Sequence, residues 1–149
     1  YETNVFYIFW SCKYALKFFK KNASIINISS IAGKRGSKNN AAYSSSKFAV
    51  NGITQSLAKE LGNKLIRVNA ICPVLIKTKG LETALSKKDS PAFKMGVNKF
   101  LYEFNKNNSA TGKLPTENDV TDLIMYLASN RNQSLTGQCI NLDSGVFPQ

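Results

Sequence analysis

The chain has 149 residues, 43% of them hydrophobic, which suits a single domain over residues 1–149 with a core of its own. No apolar run is long enough to span a membrane, so a membrane protein is not expected. The net charge is +11, but the lysines are dispersed along the chain, which disfavours nucleic-acid binding and leaves acidic or phosphorylated substrates open.

The first half of the chain predicts a helix, a strand and a second helix. Apolar residues recur at three and four spacing over residues 3–21, which indicates a helix that stops at Asn22. A β-branched run over 24–29 is typical of a buried strand. A polar loop with two glycines follows, and a second apolar stripe predicts a helix over 41–61.

The second half repeats this alternation. Residues 66–71 form a strand pattern stopped by Pro73, and 77–113 show only weak helical patches. Thr116 is a predicted N-cap for a further helix, and the last strand is expected at 138–142. Helices that alternate with strands predict an α/β fold with a parallel sheet, although three strands leave that sheet narrow.

Histidine is absent, and the cysteines are three in number and far apart. Without histidine, proton chemistry falls to tyrosine, lysine and carboxylates. Cys12, Cys72 and Cys139 form no CxxC pair, so a disulfide framework is not expected and a reducing, cytoplasmic location fits better.

Three polar side chains are predicted to meet at the carboxyl edge of the sheet. Tyr43 and Lys47 are four residues apart on a predicted helix and therefore share a face. Ser30 follows a strand and lies thirteen residues before Tyr43, so the loop can return it to the first turn of that helix. Open α/β sheets bind their ligands at this edge.

This arrangement resembles the active site of the short-chain dehydrogenase/reductase family. Tyr-x-x-x-Lys, with a serine upstream after a β-branched strand, is the family's central pattern. Four further matches stand in the right order: Asn4, the Arg67–Pro73 strand, Thr78, and Thr136-Gly137-Gln138 followed by Asp143-Ser144-Gly145.

The resemblance implies an NAD(P)-dependent oxidoreductase that interconverts a carbonyl and an alcohol by hydride transfer. Its expected catalytic residues are Asn4, Ser30, Tyr43 and Lys47, and its expected residues for NAD or NADP are Tyr43, Lys47, Pro73, Ile76 and Thr78. Tyr43 would act as general acid/base, because a nearby ammonium stabilises the phenolate. The 77–113 segment would form the substrate lid.

The chain departs from the family pattern in three places. Val74 stands where a glycine is expected, and Ser144 replaces another. The Gly-rich turn that binds the dinucleotide phosphates is absent, so the chain matches the C-terminal half of a Rossmann-like, doubly wound fold. The residue that selects NAD or NADP is also absent. We therefore expect this polypeptide to be inactive alone.

Two other readings stay open. The chain could be a non-catalytic folding or assembly module, since family members commonly form homo-oligomers through the helices that match 3–21 and 41–61. A basic nucleic-acid-binding piece is the third and least favoured reading. The small-molecule carbonyl or alcohol substrate is not specified by any motif.

Overall fold

The computed structural model describes residues 1–148 and has a three-stranded parallel sheet at its centre. The strands are β1 (Ser24–Ile28), β2 (Arg67–Pro73) and β3 (Cys139–Leu142), in the spatial order β1-β2-β3. Ile28 pairs with Ile71, and Pro73 pairs with Leu142, so the carboxyl ends of the strands share one edge. The predicted α/β class and parallel sheet are confirmed.

Five helices surround or extend from this sheet. They are α1 (Tyr7–Ala15), α2 (Ala41–Leu61), α3 (Lys79–Leu85), α4 (Val97–Asn108) and α5 (Glu117–Ala128). The predicted helix over 41–61 is confirmed at both ends. The one over 3–21 is present in three pieces, because a π-helical turn precedes α1 and a 3₁₀ turn follows it. None of the helices described over residues 1–148 has the length and apolarity needed to cross a membrane.

The two faces of the sheet are covered by different helices. On one face α1 and α2 pack against β2, and their buried core consists of Cys12, Leu57, Ala58, Leu61, Ile66 and Val68. On the other face buried Arg67 donates to the carbonyl of Leu127 (2.8 Å) and to Asn132 Oδ1 (2.6 Å), which ties β2 to the end of α5. Because successive strand residues point to opposite faces, Arg67 and Val68 hold the two layers together.

Strand β1 differs from the expectation of a buried strand. Only Asn27 is buried within it, and Ile28 is 46% exposed. The physical reason is position: β1 is an edge strand, with no neighbour on its outer side among residues 1–148. By contrast, every residue of β2 is buried, because β2 is central and both of its faces are covered.

The end of the 77–113 segment is fastened to the C-terminal turn. The carbonyl of Ser144 accepts hydrogen bonds from the amides of Ala110 (2.9 Å) and Thr111 (3.4 Å). Gly145 adopts φ +76°, and a Cβ atom there would lie 2.6 Å from the Cβ of Ala110. Asp143 closes the turn by accepting from the amides of Gly145 and Phe147.

Replacing Gly145 by alanine is expected to lower the free energy of unfolding by about 1–3 kcal/mol, because the added methyl collides with Ala110. Denaturant unfolding measures the effect. Gly112→Ala is the matched control, since Gly112 also has positive φ (+68°) but no atom lies within 4 Å of the place its new methyl would take. Adding Ala110→Gly to the Gly145→Ala variant should restore the stability that this variant loses beyond the loss of Gly112→Ala. If the stability is not restored, the contact between residues 110 and 145 is unimportant.

Candidate active site

Tyr43 and Lys47 stand together at the start of α2. The ammonium of Lys47 lies 5.7 Å from the centre of the Tyr43 ring and donates a hydrogen bond to the carbonyl of Ile28 (2.8 Å). Lys47 is buried, whereas Tyr43 is 43% exposed. Helix α2 thus sets a fixed ammonium beneath an accessible phenol at the carboxyl end of β1.

Burial lowers the pKa of the Lys47 ammonium, and the Cys72 thiol acts in the opposite direction. Desolvation has this effect because it penalises the charged form of the amine. An ammonium has three donors. Among the described residues, the Lys47 ammonium makes only one hydrogen bond, to the carbonyl of Ile28. Lys47 therefore has donors left for a ligand or for the phenolate form of Tyr43.

Ser30 lies between the ends of β1 and β2. Its hydroxyl accepts from the amide of Ala32 (3.1 Å) and donates to the carbonyl of Pro73 (3.4 Å). The second bond is long for an O–H donor, so the hydroxyl can exchange it for an incoming oxygen. The structure brings Ser30 to the same edge as α2, as the sequence predicted.

Three residues that the motif does not include hold the Ser30 loop against α2. Ser29 donates its hydroxyl to the carbonyl of Lys47 (3.2 Å), and Asn51 donates to the carbonyl of Gly33 (2.9 Å). A Cβ atom on Gly33 would lie 2.6 Å from the Lys47 carbonyl oxygen. Sequence reasoning passed over these residues; the glycine three positions after Ser30 was the available signal.

Asn4 lies on the π-helical turn that precedes α1. Its side-chain amide donates to the hydroxyl of Ser46 (3.0 Å), which in turn donates to the carbonyl of Tyr43 (2.7 Å). The structure therefore places Asn4 beside the first turn of α2, where its direct contact is with Ser46, the residue before Lys47.

The predicted cofactor residues after β2 follow the same edge. Pro73 is the last residue of β2, and Ile76 lies half-buried between this strand and α3. Thr78 is the N-cap of α3, where its hydroxyl oxygen accepts from the amide of Leu81 (3.1 Å). The hydroxyl hydrogen of Thr78 is left free to donate by this contact.

Two thiols, buried Cys72 and half-buried Cys139, lie side by side in β2 and β3. Hydrogen bonding from Cys139 lowers the pKa of Cys72 to about 7 against the opposing effect of burial, and the charge of Lys34 adds to the lowering. The same contact raises the pKa of Cys139. Both sulfurs also approach Asn51, at 3.7 Å from its side-chain oxygen and 4.0 Å from its carbonyl. Asn51, Cys72 and Cys139 thereby join α2, β2 and β3.

The 77–113 segment has a small core of its own. Its buried members are Leu85, Ala92 and Leu101, and Phe100 packs against them. The rings of Phe100 and Phe104 lie 6.3 Å apart, whereas Phe93 is exposed. An open groove of about 470 Å³ lies between α4 and the start of α5, and none of Ser30, Tyr43 and Lys47 lines it.

Known proteins are similar to this chain over most of its length. The model of a protein family described as enoyl-(acyl carrier protein) reductase matches residues 1–147. A short-chain dehydrogenase/reductase, aba4, from Botryotinia fuckeliana is 38% identical over 135 residues, which cover 91% of this chain and 50% of that protein. The chain belongs to the short-chain dehydrogenase/reductase family.

Solved structures of short-chain dehydrogenases/reductases have the same fold. Ligand-free aldohexose dehydrogenase from Thermoplasma acidophilum superimposes with a TM-score of 0.85 at 30% identity, over 96% of this chain and 56% of that one. ElxO with NADP bound gives a TM-score of 0.76 at 32% identity, over 95% of this chain and 54% of that one. The chain thus spans about half the length of the relatives it matches.

Gly33→Ala is expected to destabilise the protein by about 1–3 kcal/mol, because backbone atoms of Lys47 occupy the space that the methyl needs. The free energy of unfolding from a denaturant series measures this. Gly36→Ala, in the same loop, has no atom within 4 Å of the new methyl and serves as the control. Equal stabilities for the two variants would contradict the tight junction.

Proposed function

We propose that the complete protein is an NAD(P)-dependent oxidoreductase that interconverts a carbonyl and an alcohol. The carrying observation is that the exposed Tyr43 ring lies 5.7 Å from the buried Lys47 ammonium, at the carboxyl edge where Ser30 also lies between the ends of β1 and β2. Membership of the short-chain dehydrogenase/reductase family and the NADP bound by ElxO support this proposal.

The residues present fit one end of a dinucleotide. Tyr43 and Ile28 expose an open surface at the end of β1, where Lys47 has unused donors. The hydroxyl of Thr78, which follows β2, accepts a hydrogen bond from Leu81, so its hydrogen is free to donate to a ligand. In this proposal Lys47 and Tyr43 hold the nicotinamide ribose, and Pro73, Ile76 and Thr78 face the nicotinamide. The Gly-rich turn for the phosphates is not found in this chain.

The bound cofactor supplies or accepts a hydride at the substrate carbon. The chain's own residues manage the oxygen and its proton. Ser30 donates a hydrogen bond to the substrate oxygen in exchange for its long bond to Pro73, and Tyr43 delivers or removes the proton as general acid/base. Lys47 stabilises the phenolate that Tyr43 forms, since opposite charges favour ionisation. Asn4, beside the first turn of α2, would hold a water that relays protons from Lys47.

Residues 1–149 are proposed to be the C-terminal portion of a single Rossmann-like domain, inactive when separated from the rest. Strand β1 has an unpaired outer edge within residues 1–148, and its free N–H and C=O groups offer a place for a further strand to pair. The half-length match to relatives supports the same conclusion. Cys12, Cys72 and Cys139 are free thiols, which supports a reducing, cytoplasmic location.

A second role, assembly into a homo-oligomer, is favoured by the outer face of α1. Large aromatic side chains are exposed there on consecutive turns: Phe6, Tyr7, Phe9, Trp10, Tyr14 and Phe18. The rings of Trp10 and Tyr14 stack at 6.0 Å, and Phe48 is exposed on α2. Lys13 and Lys17 place their ammonium groups over the rings of Trp10 and Phe18. A face with this many exposed aromatic rings marks an interaction surface, so we propose self-association through helices 3–21 and 41–61.

In the product of the complete gene, Tyr43→Phe should reduce kcat by about 100-fold or more, because the proton donor is lost, while cofactor affinity stays near that of the parent, because Lys47 still binds the ribose. Lys47→Ala should damage both properties. A nicotinamide absorbance assay and a fluorescence titration with NADH and NADPH measure the two effects. Tyr126→Phe, a comparably exposed tyrosine on α5, is the control. Parent-like turnover in Tyr43→Phe would refute the role of the phenol.

Trp10→Glu should lower the molar mass of the complete protein in light scattering, because a charge replaces a 53%-exposed indole at the centre of the aromatic face. Met125→Glu, on α5 and outside this face, should leave the mass unchanged, and so should Tyr43→Phe. A parent protein that is already monomeric would rule out the proposed assembly.

A further inference from the structure

Three cationic residues lie in the sequence between Ser30 and Tyr43. Lys34, Arg35 and Lys38 follow Ser30 and precede Tyr43, and residues 29–47 contain no acidic residue. Within residues 1–148 the only ion pair joins Lys77 and Glu82, so none of the three has a carboxylate partner. A loop that positions a catalytic hydroxyl thus carries unneutralised positive charge.

The charge of the whole chain is concentrated around the same site. Residues 29–47 contain four cations and no acid, and residues 77–113 contain eight lysines and three acids. These two segments account for nine of the eleven net positive charges, whereas residues 114–149 hold four acids and one arginine. The excess positive charge therefore lies mostly on the two segments that follow β1 and β2. The electrostatic field of such a concentration of positive charge attracts anions.

The loop backbone gives Lys34 and Arg35 fixed places. Both amides donate to the carbonyl of Ile31, at 3.0 and 3.1 Å, and Asn51 holds Gly33 immediately before them. The charge of Lys34 acts on the thiols of Cys72, near the end of β2, and of Cys139, at the start of β3.

Arg35 is placed by the C-terminal turn. Its guanidinium lies 5.0 Å from the ring of Phe147, whose amide is bonded to Asp143. The same turn holds Ala110, at the end of the 77–113 segment, through Ser144. No hydrogen-bond acceptor for the Arg35 guanidinium is found within residues 1–148, whereas buried Arg67 is bonded to the carbonyls of Leu127 and Ser129 and to Asn132.

We propose that the substrate is an anion: a carbonyl or alcohol compound whose carboxylate or phosphate is bound by Arg35, with Lys34 adding charge. An arginine fork on an aromatic ring is suited to planar or tetrahedral oxyanions, because it donates two parallel hydrogen bonds. The inference rests on the proposed oxidoreductase function and adds the class of its substrate.

The position of these cations assigns the anion to the substrate and not to the cofactor. They belong to the loop between Ser30, which would hold the substrate oxygen, and Tyr43, which would protonate it. Of the proposed cofactor residues, Tyr43 and Lys47 lie on α2, and those that would face the nicotinamide, Pro73, Ile76 and Thr78, lie on the exit of β2; none belongs to the loop segment that carries the cations. An anionic group held at Arg35 is thus on the side of the reacting carbon where the Ser30 loop lies.

A chemical test that needs no turnover uses phenylglyoxal, which modifies exposed arginines. In the complete gene product, inorganic phosphate or acetate should slow the modification of Arg35, mapped by mass spectrometry, by about threefold or more when the site is largely occupied. Arg131 is exposed beyond α5 and should react at the same rate with and without these anions. Equal protection of both arginines, or protection of Arg35 by NADP alone, would overturn the proposal.

A kinetic test uses matched pairs that differ in charge: levulinate against its methyl ester, and dihydroxyacetone phosphate against dihydroxyacetone. The charged member of at least one pair should be preferred, and the preferred pair identifies carboxylate or phosphate. Arg35→Gln should raise KM for the charged member by about tenfold, the loss of one charged hydrogen-bond pair, and leave the neutral member unchanged. Arg131→Gln is the control.

The outcomes separate the two proposals. Turnover without any preference for charge, and with equal effects of Arg35→Gln on both members, would overturn the anionic substrate while the oxidoreductase stands. Absence of turnover on any carbonyl or alcohol in a broad panel would overturn the oxidoreductase, and Arg35 protection by phosphate or acetate would then still establish the anion site.

Discussion

The structure depends on one close approach, where the loop after β1 meets the second turn of α2. Gly33 lies against the Lys47 carbonyl with no room for a side chain, and Ser29 and Asn51 close the junction with hydrogen bonds. Lys47 completes it from the helix side through its bond to Ile28. Because interiors are close-packed, this contact sets the distance between β1 and α2, and with it the position of Lys47 relative to the end of β1.

The same junction explains how a lysine can be buried without an acidic partner. The ammonium is bonded to a carbonyl at the end of β1, and burial lowers its pKa. An uncompensated charge costs free energy, which the packing of α2 on β2 offsets. The arrangement is useful chemically, since a desolvated ammonium stabilises a neighbouring phenolate more strongly than a solvated one. Under the proposed function, this arrangement exchanges stability for a preorganised proton-transfer site.

The C-terminal turn couples the two charged segments. Asp143 shapes the turn, Ser144 binds the end of the 77–113 segment, and Phe147 lies under Arg35. The turn therefore connects the end of that segment to the loop that carries Ser30. If the segment closes over a substrate, the positive charge of both segments surrounds it, and the reactive edge becomes less accessible to water.

The sequence by itself determined the order and type of the main elements, because periodicity and caps are local properties: α2 begins and ends where its pattern predicts, and Thr116 caps α5 as expected. The structure adds that Asp119 completes a capping box with Thr116. It also marked Ser30, Tyr43 and Lys47, because residues four apart share a face of a helix and Ser30 directly follows a predicted strand. Only the tertiary structure decided that β1 is an exposed edge, that Gly33 touches Lys47, and that Arg35 lies beside Phe147. These are contacts between residues distant in the chain, and no local pattern encodes the distance at which packed backbones meet.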